Sequence, residues 1–358
     1  MTVLLDNIIF GLQPHGGISV YWAEILARAA REGYSWTDPY SPPGNESRAS
    51  LKDISYNSPT FTFPPAIERY RAVNAKGSII HSSYYRVPTD SKTPLITTVY
   101  DFTYERYRKG PALWLHHAQK MRAIQRSAKI LCISESTARD VVHYGGKHLA
   151  SRITVTHLAA SPAFRPVENP ITALSGKYPW IESISRNKKI LLFVGARSSY
   201  KRFDLAVKAT EAYPDSHLII LGGGAPSKQE QDVTQILASE QRISFVAAVP
   251  TTELPAWYSS AYALLYLSDY EGFGLPVLEA SLCDCPVIAQ NTSSIPEVYG
   301  EVDFLIGNDG AIGDIISRLK DLNLPSLRSQ VTMSGRQRAM LFSWQKCSEQ
   351  TFNIYNSI

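Results

Sequence analysis

Short apolar, β-branched runs alternate with longer stretches of helical period along most of this chain. In the first half, Val3 to Ile9, Ser78 to Ser82, Leu95 to Tyr100, Lys129 to Ile133 and Ile153 to His157 read as strands. Apolar positions at helical spacing predict helices from Ile18 to Arg31, Pro111 to Ser127 and Glu135 to Tyr144. A second series follows, with strands at Lys189 to Val194, His217 to Leu221, Ile243 to Val246, Tyr262 to Leu267 and Val287 to Ala289. Repeated strand-helix alternation implies parallel, doubly wound sheets, an α/β fold. Residues Ser161 to Asn187 hold Pro162, Pro166, Pro170 and Pro179 with little periodicity and predict a linker. The stretch from Tyr34 to Pro65 is dense in Ser, Pro, Asn and Asp and reads as loops at a domain rim. A last helical pattern runs from Ser343 to Tyr355.

A chain of 358 residues is too long for one ordinary core, which favours two domains. The expected division is 1–165, 166–340, and a closing helix over 341–358. No apolar run reaches membrane-spanning length, and the N-terminus lacks a basic n-region, so a cytoplasmic protein is expected. The four cysteines are scattered without zinc-binding spacing, and no structural metal is expected.

The net charge of +4 hides an asymmetry, because residues 1–170 carry 20 Lys or Arg against 13 Asp or Glu, giving +7 there and −3 in the remainder. Arg106, Arg108 and Lys109 precede the helix on which Arg122, Arg126 and Lys129 recur. That face suits phosphates or the anionic inner face of a membrane, or is simply a solvated helix face. There is no nucleic-acid-binding motif to sharpen it.

The densest chemistry lies from Glu271 to Glu279, Glu-Gly-Phe-Gly-Leu-Pro-Val-Leu-Glu, directly after a predicted buried strand. Gly272, Phe273 and Gly274 form a strand-to-helix loop, and the helix opening near Leu275 presents free N–H groups. The two carboxylates flank that turn at the strand's carboxyl end, where open α/β sheets bind ligands. Arg197 and Lys201 follow the strand ending at Val194, and Gly222 follows another. Arg supplies a fork of donors and Lys a mobile point charge, a combination suited to a diphosphate. Gly16 and Gly17 follow the first strand, but their spacing is not Gly-x-Gly-x-x-Gly, and no ribose-binding acid of a dinucleotide enzyme is evident. Asp101 ends a first-half strand.

The Glu-x7-Glu segment resembles the signature of the retaining glycosyltransferases of family 4. So do Gly16-Gly-Ile-Ser19, Thr98-Val-Tyr-Asp101, Ile133-Ser-Glu-Ser136, Val194-Gly-Ala-Arg197 with Lys201, Leu221-Gly222, and Cys285-Pro-Val287 leading to Ile295-Pro-Glu297, in the family's order. The resemblance implies the GT-B arrangement of two Rossmann-like domains facing a cleft, with the last helix returning to the first domain. It implies a nucleoside-diphosphate sugar as donor, no cofactor, and a glycan or lipid-linked acceptor in cell-surface polysaccharide synthesis.

By the same resemblance, Glu271 meets the donor sugar, assisted by the N–H groups of Gly272 to Leu275, and Glu279 meets the ribose. Gly16, Gly17, Arg197, Lys201 and Gly222 serve the diphosphate, and Asp101 faces the acceptor. The Gly-Gly-Ile-Ser and Tyr-Lys-x-Phe segments look like those of mannosyltransferases, placing GDP-mannose ahead of UDP-hexoses. An inactive sugar-nucleotide-binding partner and a GT-B epimerase are the alternatives. Two departures stand out: Tyr100 replaces a common His, so that residue's role does not transfer, and Ala247 stands where Gly is common. His15, His81 and His157 are read as structural.

Overall fold

The computed structural model describes residues 2–13, 16–32, 36–37, 63–75, 78–300, 304–307 and 311–358. The chain forms two compact units, Met1–Leu158 with Ser343–Ile358, and Ala159–Phe342. Each carries a parallel sheet. Nearly all of the Tyr34 to Pro65 stretch, like His15, lies outside the described residues.

The first sheet runs in the order β2-β1-β3-β4-β5-β6, with β1 at Thr2–Asp6, β2 at Trp36–Thr37, β3 at Ser78–Ser82, β4 at Leu95–Val99, β5 at Lys129–Cys132 and β6 at Ile153–Val155. Every residue of β4 is buried, as its uninterrupted apolar and threonine run requires in a sheet covered on both faces. The first strand is shorter than expected, because Ile9–Leu12 turns into a helix after Asp6. Ile8 and Ile9 are fully buried either way, so hydrophobicity alone does not separate the two conformations.

The closing helix, Trp344–Asn356, is part of this first unit. Ser343 caps it by accepting from the Lys346 N–H. Trp344 lies 6.3 Å from the ring of Tyr21, and the Tyr355 hydroxyl is 2.6 Å from Nδ1 of His81. Nε2 of His81 is 2.8 Å from Thr98 Oγ1. Burial lowers the His81 pKa to about 3, so this imidazole is a neutral strut of the core.

The second sheet runs β12-β11-β10-β7-β8-β9, with β7 at Lys189–Val194, β8 at Ser216–Leu221, β9 at Ile243–Val246, β10 at Ala263–Tyr266, β11 at Val287–Gln290 and β12 at Leu305–Ile306. The chain builds outward from β7 through β8 to β9, then crosses back to lay β10 on the other side of β7. The strand order therefore reverses between β7 and β10. A doubly wound sheet opens a crevice at such a point, because the connections leave on opposite faces.

The expected linker is folded. Residues 161–187 include the helices Pro170–Ser175 and Trp180–Asn187, and the prolines at 170 and 179 stand at helix starts rather than in loose chain. Tyr178 anchors this segment by packing at a tilt with its ring centroid 5.0 Å from that of the buried Trp257. The chain passes between units after Leu158 and again after Phe342.

Candidate active site

The β10 strand delivers its loop to the β7 side of the switch point, and a set of hydroxyls holds that loop in place. Ser294 Oγ donates to the carbonyls of Glu271 at 2.9 Å and Phe273 at 2.8 Å. Ser293 Oγ accepts the Glu271 N–H at 2.9 Å, and Thr292 Oγ1 donates to the Asp269 carbonyl at 2.9 Å. At Gly274 the backbone takes φ 114° to open the Leu275–Leu282 helix, and a Cβ there would stand 2.9 Å from Ile295 Cδ1. The positive φ favours glycine there. The Phe273 ring is buried against Phe342, so only its backbone can serve a ligand.

Glu271 is the polar centre of this loop. Its Oε1 accepts from Lys201 Nζ at 2.8 Å and from Ser268 Oγ at 2.7 Å. The carboxylate and the ammonium are 14% and 16% exposed, enough to be reached from the crevice while largely shielded. They meet because the loops after β7 and β10 flank the switch point, although 70 residues separate them. Beside them, Arg202 Nη1 pairs with Asp269 Oδ1 at 3.2 Å.

Glu279 lies farther along the helix and accepts from the Tyr258 hydroxyl at 2.9 Å. Burial pushes its pKa from 4.5 up to about 7, against the opposing effect of the Tyr258 hydrogen bond. The folded protein therefore keeps this proton to higher pH than the unfolded chain does, and stability is lost as pH rises from 4.5 through about 7. Glu279→Gln escapes that loss. Relative to wild type, the variant should gain up to ~3 kcal/mol between pH 4 and pH 8. Parallel stability curves for the two proteins in denaturant titrations would rule this out.

Arg197 is placed differently from Lys201. Its side chain is 3% exposed, with Nε 2.7 Å from Glu230 Oε1 and Nη1 3.0 Å from the Gly222 carbonyl. Its Nη2 donates to the carbonyls of Gly223, Gly224 and Ala225 at 3.0–3.2 Å. Gly222, Gly223 and Gly224 all have positive φ, which turns their carbonyls toward the guanidinium. A Cβ on Gly223 would stand 2.6 Å from Arg197 Nη1. Arg197 thus clamps the loop after β8, while Lys201 and Glu271 occupy the switch point.

In the first unit, Gly16 has φ 146° at the exposed N-terminus of the Gly17–Arg31 helix, and Ser19 Oγ ties this turn to the Gln13 carbonyl at 2.7 Å. Asp101 Oδ1 accepts the Thr103 N–H at 2.8 Å. Its carbonyl accepts from Lys120 Nζ at 3.0 Å, and that ammonium also pairs with Glu105 at 2.8 Å. Tyr100 is buried, accepting from Trp22 Nε1 and donating to the Ser83 carbonyl, with its pKa raised well above the ordinary value by burial. It acts as a core spoke. Ser134 caps its helix through the Thr137 N–H at 3.0 Å.

Sequence reading overlooked Ser268, the hydroxyls of Thr292 to Ser294, and the Lys120–Glu105 pair. The run Asn291-Thr-Ser-Ser294 directly after a strand was the available signal.

Residues 176–338, most of the second unit, match the model of the family described as glycosyl transferases group 1. The second unit belongs to that family. An O-antigen chain mannosyltransferase B from Escherichia coli is 27% identical to this chain over 317 residues, covering 85% of this chain and 74% of the relative. Among solved structures, Anabaena Alr3699/HepE in complex with UDP-glucose superposes with a TM-score of 0.74 at 14% identity, over 100% of this chain and 99% of that one. Sucrose-phosphate synthase from Thermosynechococcus elongatus gives 0.73 at 18% identity, covering 99% and 98%. The fold of this chain is GT-B. Among the described residues, no helix is long and apolar enough to cross a membrane.

Proposed function

We propose that this glycosyltransferase moves a hexose from a nucleoside-diphosphate sugar to a glycan or lipid-linked acceptor, retaining the anomeric configuration and using no metal. The pairing of Lys201 with Glu271 at the β7–β10 switch point carries this reading. In the reaction, the bond from the anomeric carbon to the β-phosphate oxygen breaks, and its electron pair leaves with the diphosphate. The acceptor oxygen forms the new bond on the same face, and its proton passes to the departing diphosphate. Lys201 and the N–H groups opening the Leu275–Leu282 helix offset the charge growing on the leaving group. Glu271 orients the sugar and faces its developing positive charge, Glu279 takes the ribose hydroxyls, and Gly16 and Gly17 approach the phosphates. Arg197 shapes the loop beneath them, and Asp101 serves the acceptor.

GDP-mannose stands ahead of UDP-hexoses as donor, supported by the mannosyltransferase relative; the likeness to a protein solved with UDP-glucose keeps UDP-hexoses next. That relative's name also supports a role in cell-surface polysaccharide synthesis. We place the protein at the inner face of the membrane, held through its first unit. There Trp114, Leu115 and Tyr107 are exposed at 73%, 54% and 38%, next to exposed Arg108 and Lys109. Exposed aromatic side chains with flanking cations suit an anionic lipid interface.

The test is release of nucleoside diphosphate from GDP-mannose and UDP-glucose, with a membrane lipid extract supplying acceptors and excess EDTA present. Turnover should persist in EDTA. Loss of turnover with rescue by Mg²⁺ or Mn²⁺ would contradict the metal-free mechanism. Binding without turnover would identify a sugar-nucleotide-binding partner, and isomerisation of the donor without acceptor an epimerase.

A further inference from the structure

The proposed donor site holds its cations already paired. Lys201 meets Glu271 at 2.8 Å and Arg202 meets Asp269 at 3.2 Å, so the two loops at the switch point bring four charges that cancel. A generic anion trap would leave cations uncompensated. Here any phosphate that approaches the Lys201 ammonium also approaches the Glu271 carboxylate. Ser268 also fixes that carboxylate, donating to the same Oε1 that Lys201 holds, so Glu271 is not swung away by a rotation that costs nothing.

We infer that Glu271 discriminates the sugar-loaded donor from the spent nucleoside diphosphate, and so drives product release. This rests on the donor site proposed above. In the loaded donor, the terminal phosphate is esterified to the sugar and carries one ionisable oxygen, while sugar hydroxyls donate to the carboxylate. After transfer those hydroxyls are gone. The terminal phosphate has gained an ionisable oxygen whose proton leaves at about pH 6, so it carries close to one further charge at neutral pH. Glu271 thus changes from hydrogen-bond acceptor to repelling neighbour in a single step, and the partly shielded site weakens the screening that water would supply.

Removing the carboxylate should therefore tighten binding of the product. Calorimetric titrations of wild type and Glu271→Gln with GDP and GDP-mannose, and with UDP and UDP-glucose, test this. Glu271→Gln should bind the free diphosphate about tenfold tighter, roughly the effect of one modest charge contact. Its affinity for the sugar-loaded form should be unchanged or lower. Glu182→Gln removes a carboxylate of the same unit outside the site, in the exposed pair with Arg186, and should leave the ratio of the two affinities where it is in wild type. Wild type itself, which needs no variant to fold, should bind the free diphosphate more weakly than the matching sugar nucleotide. Equal or weaker diphosphate binding by Glu271→Gln, a shift in ratio of the same size in Glu182→Gln, or tighter product than donor binding by wild type would each overturn the inference while leaving the donor site intact. Failure of wild type to bind any of the four nucleotides would remove the donor site, and the inference with it.

Discussion

Glu271→Gln is expected to lower kcat by about 10²- to 10³-fold while changing the donor KM little, the range found when a group that stabilises transition-state charge is removed. Gln keeps the size of the side chain and can still accept from Lys201 and Ser268, so the loop should hold its shape. What disappears is the negative charge facing the sugar as its anomeric carbon becomes positive. Free-energy differences confined to the transition state appear in kcat. Glu279→Gln should behave differently, because a ribose contact is present equally in ground and transition states. It should raise the donor KM several-fold with a smaller change in kcat. Steady-state kinetics of both variants on one donor separate the roles. Wild-type turnover in Glu271→Gln, or the same pure KM defect in both, would reduce Glu271 to part of the nucleotide cradle.

Much of the fold could be read from the chain because its central strands are buried on both faces. The runs Lys189–Val194, Ser216–Leu221 and Leu95–Val99 contain almost no interruption, and few other structures accommodate such runs between helices. Reading failed where burial did not distinguish conformations, as at Ile9, and where proline density suggested loose chain between Ser161 and Asn187. There Pro170 and Pro179 start short helices, and a cluster of Tyr178, Trp180 and Trp257 supplies the packing. Aromatic residues far apart in sequence give no local sign of meeting.

The site was legible in part for the same reason. The glycine turn and its two carboxylates are adjacent in sequence, so the loop from Glu271 to Glu279 announces itself. The partners of those carboxylates are set by strand order. Lys201 reaches Glu271 because β10 lies next to β7, and Tyr258 reaches Glu279 from a preceding helix. Arg197 shows the limit most clearly. From sequence it and Lys201 are equivalent cations four residues apart, yet one is clamped by a loop of left-handed glycines and the other faces the switch point. That difference depends on the carbonyl directions at Gly222 to Gly224, which a residue pattern does not specify.

Lys201 is therefore the residue on which nucleotide binding at this site turns most directly. Lys201→Ala removes the cation assigned to the diphosphate and leaves Glu271 without its counter-charge, so both changes oppose an incoming anion. Together they should weaken donor binding by about 10- to 100-fold, a loss of roughly 1.4 to 2.8 kcal/mol. The decisive measurement is calorimetric titration of wild type and Lys201→Ala with GDP-mannose and UDP-glucose in EDTA. Saturable binding of at least one sugar nucleotide by wild type, falling by that factor in the variant, is the expected result. No saturable binding by wild type, or equal affinity in the two proteins, would contradict a nucleotide-sugar site at the junction of β7 and β10.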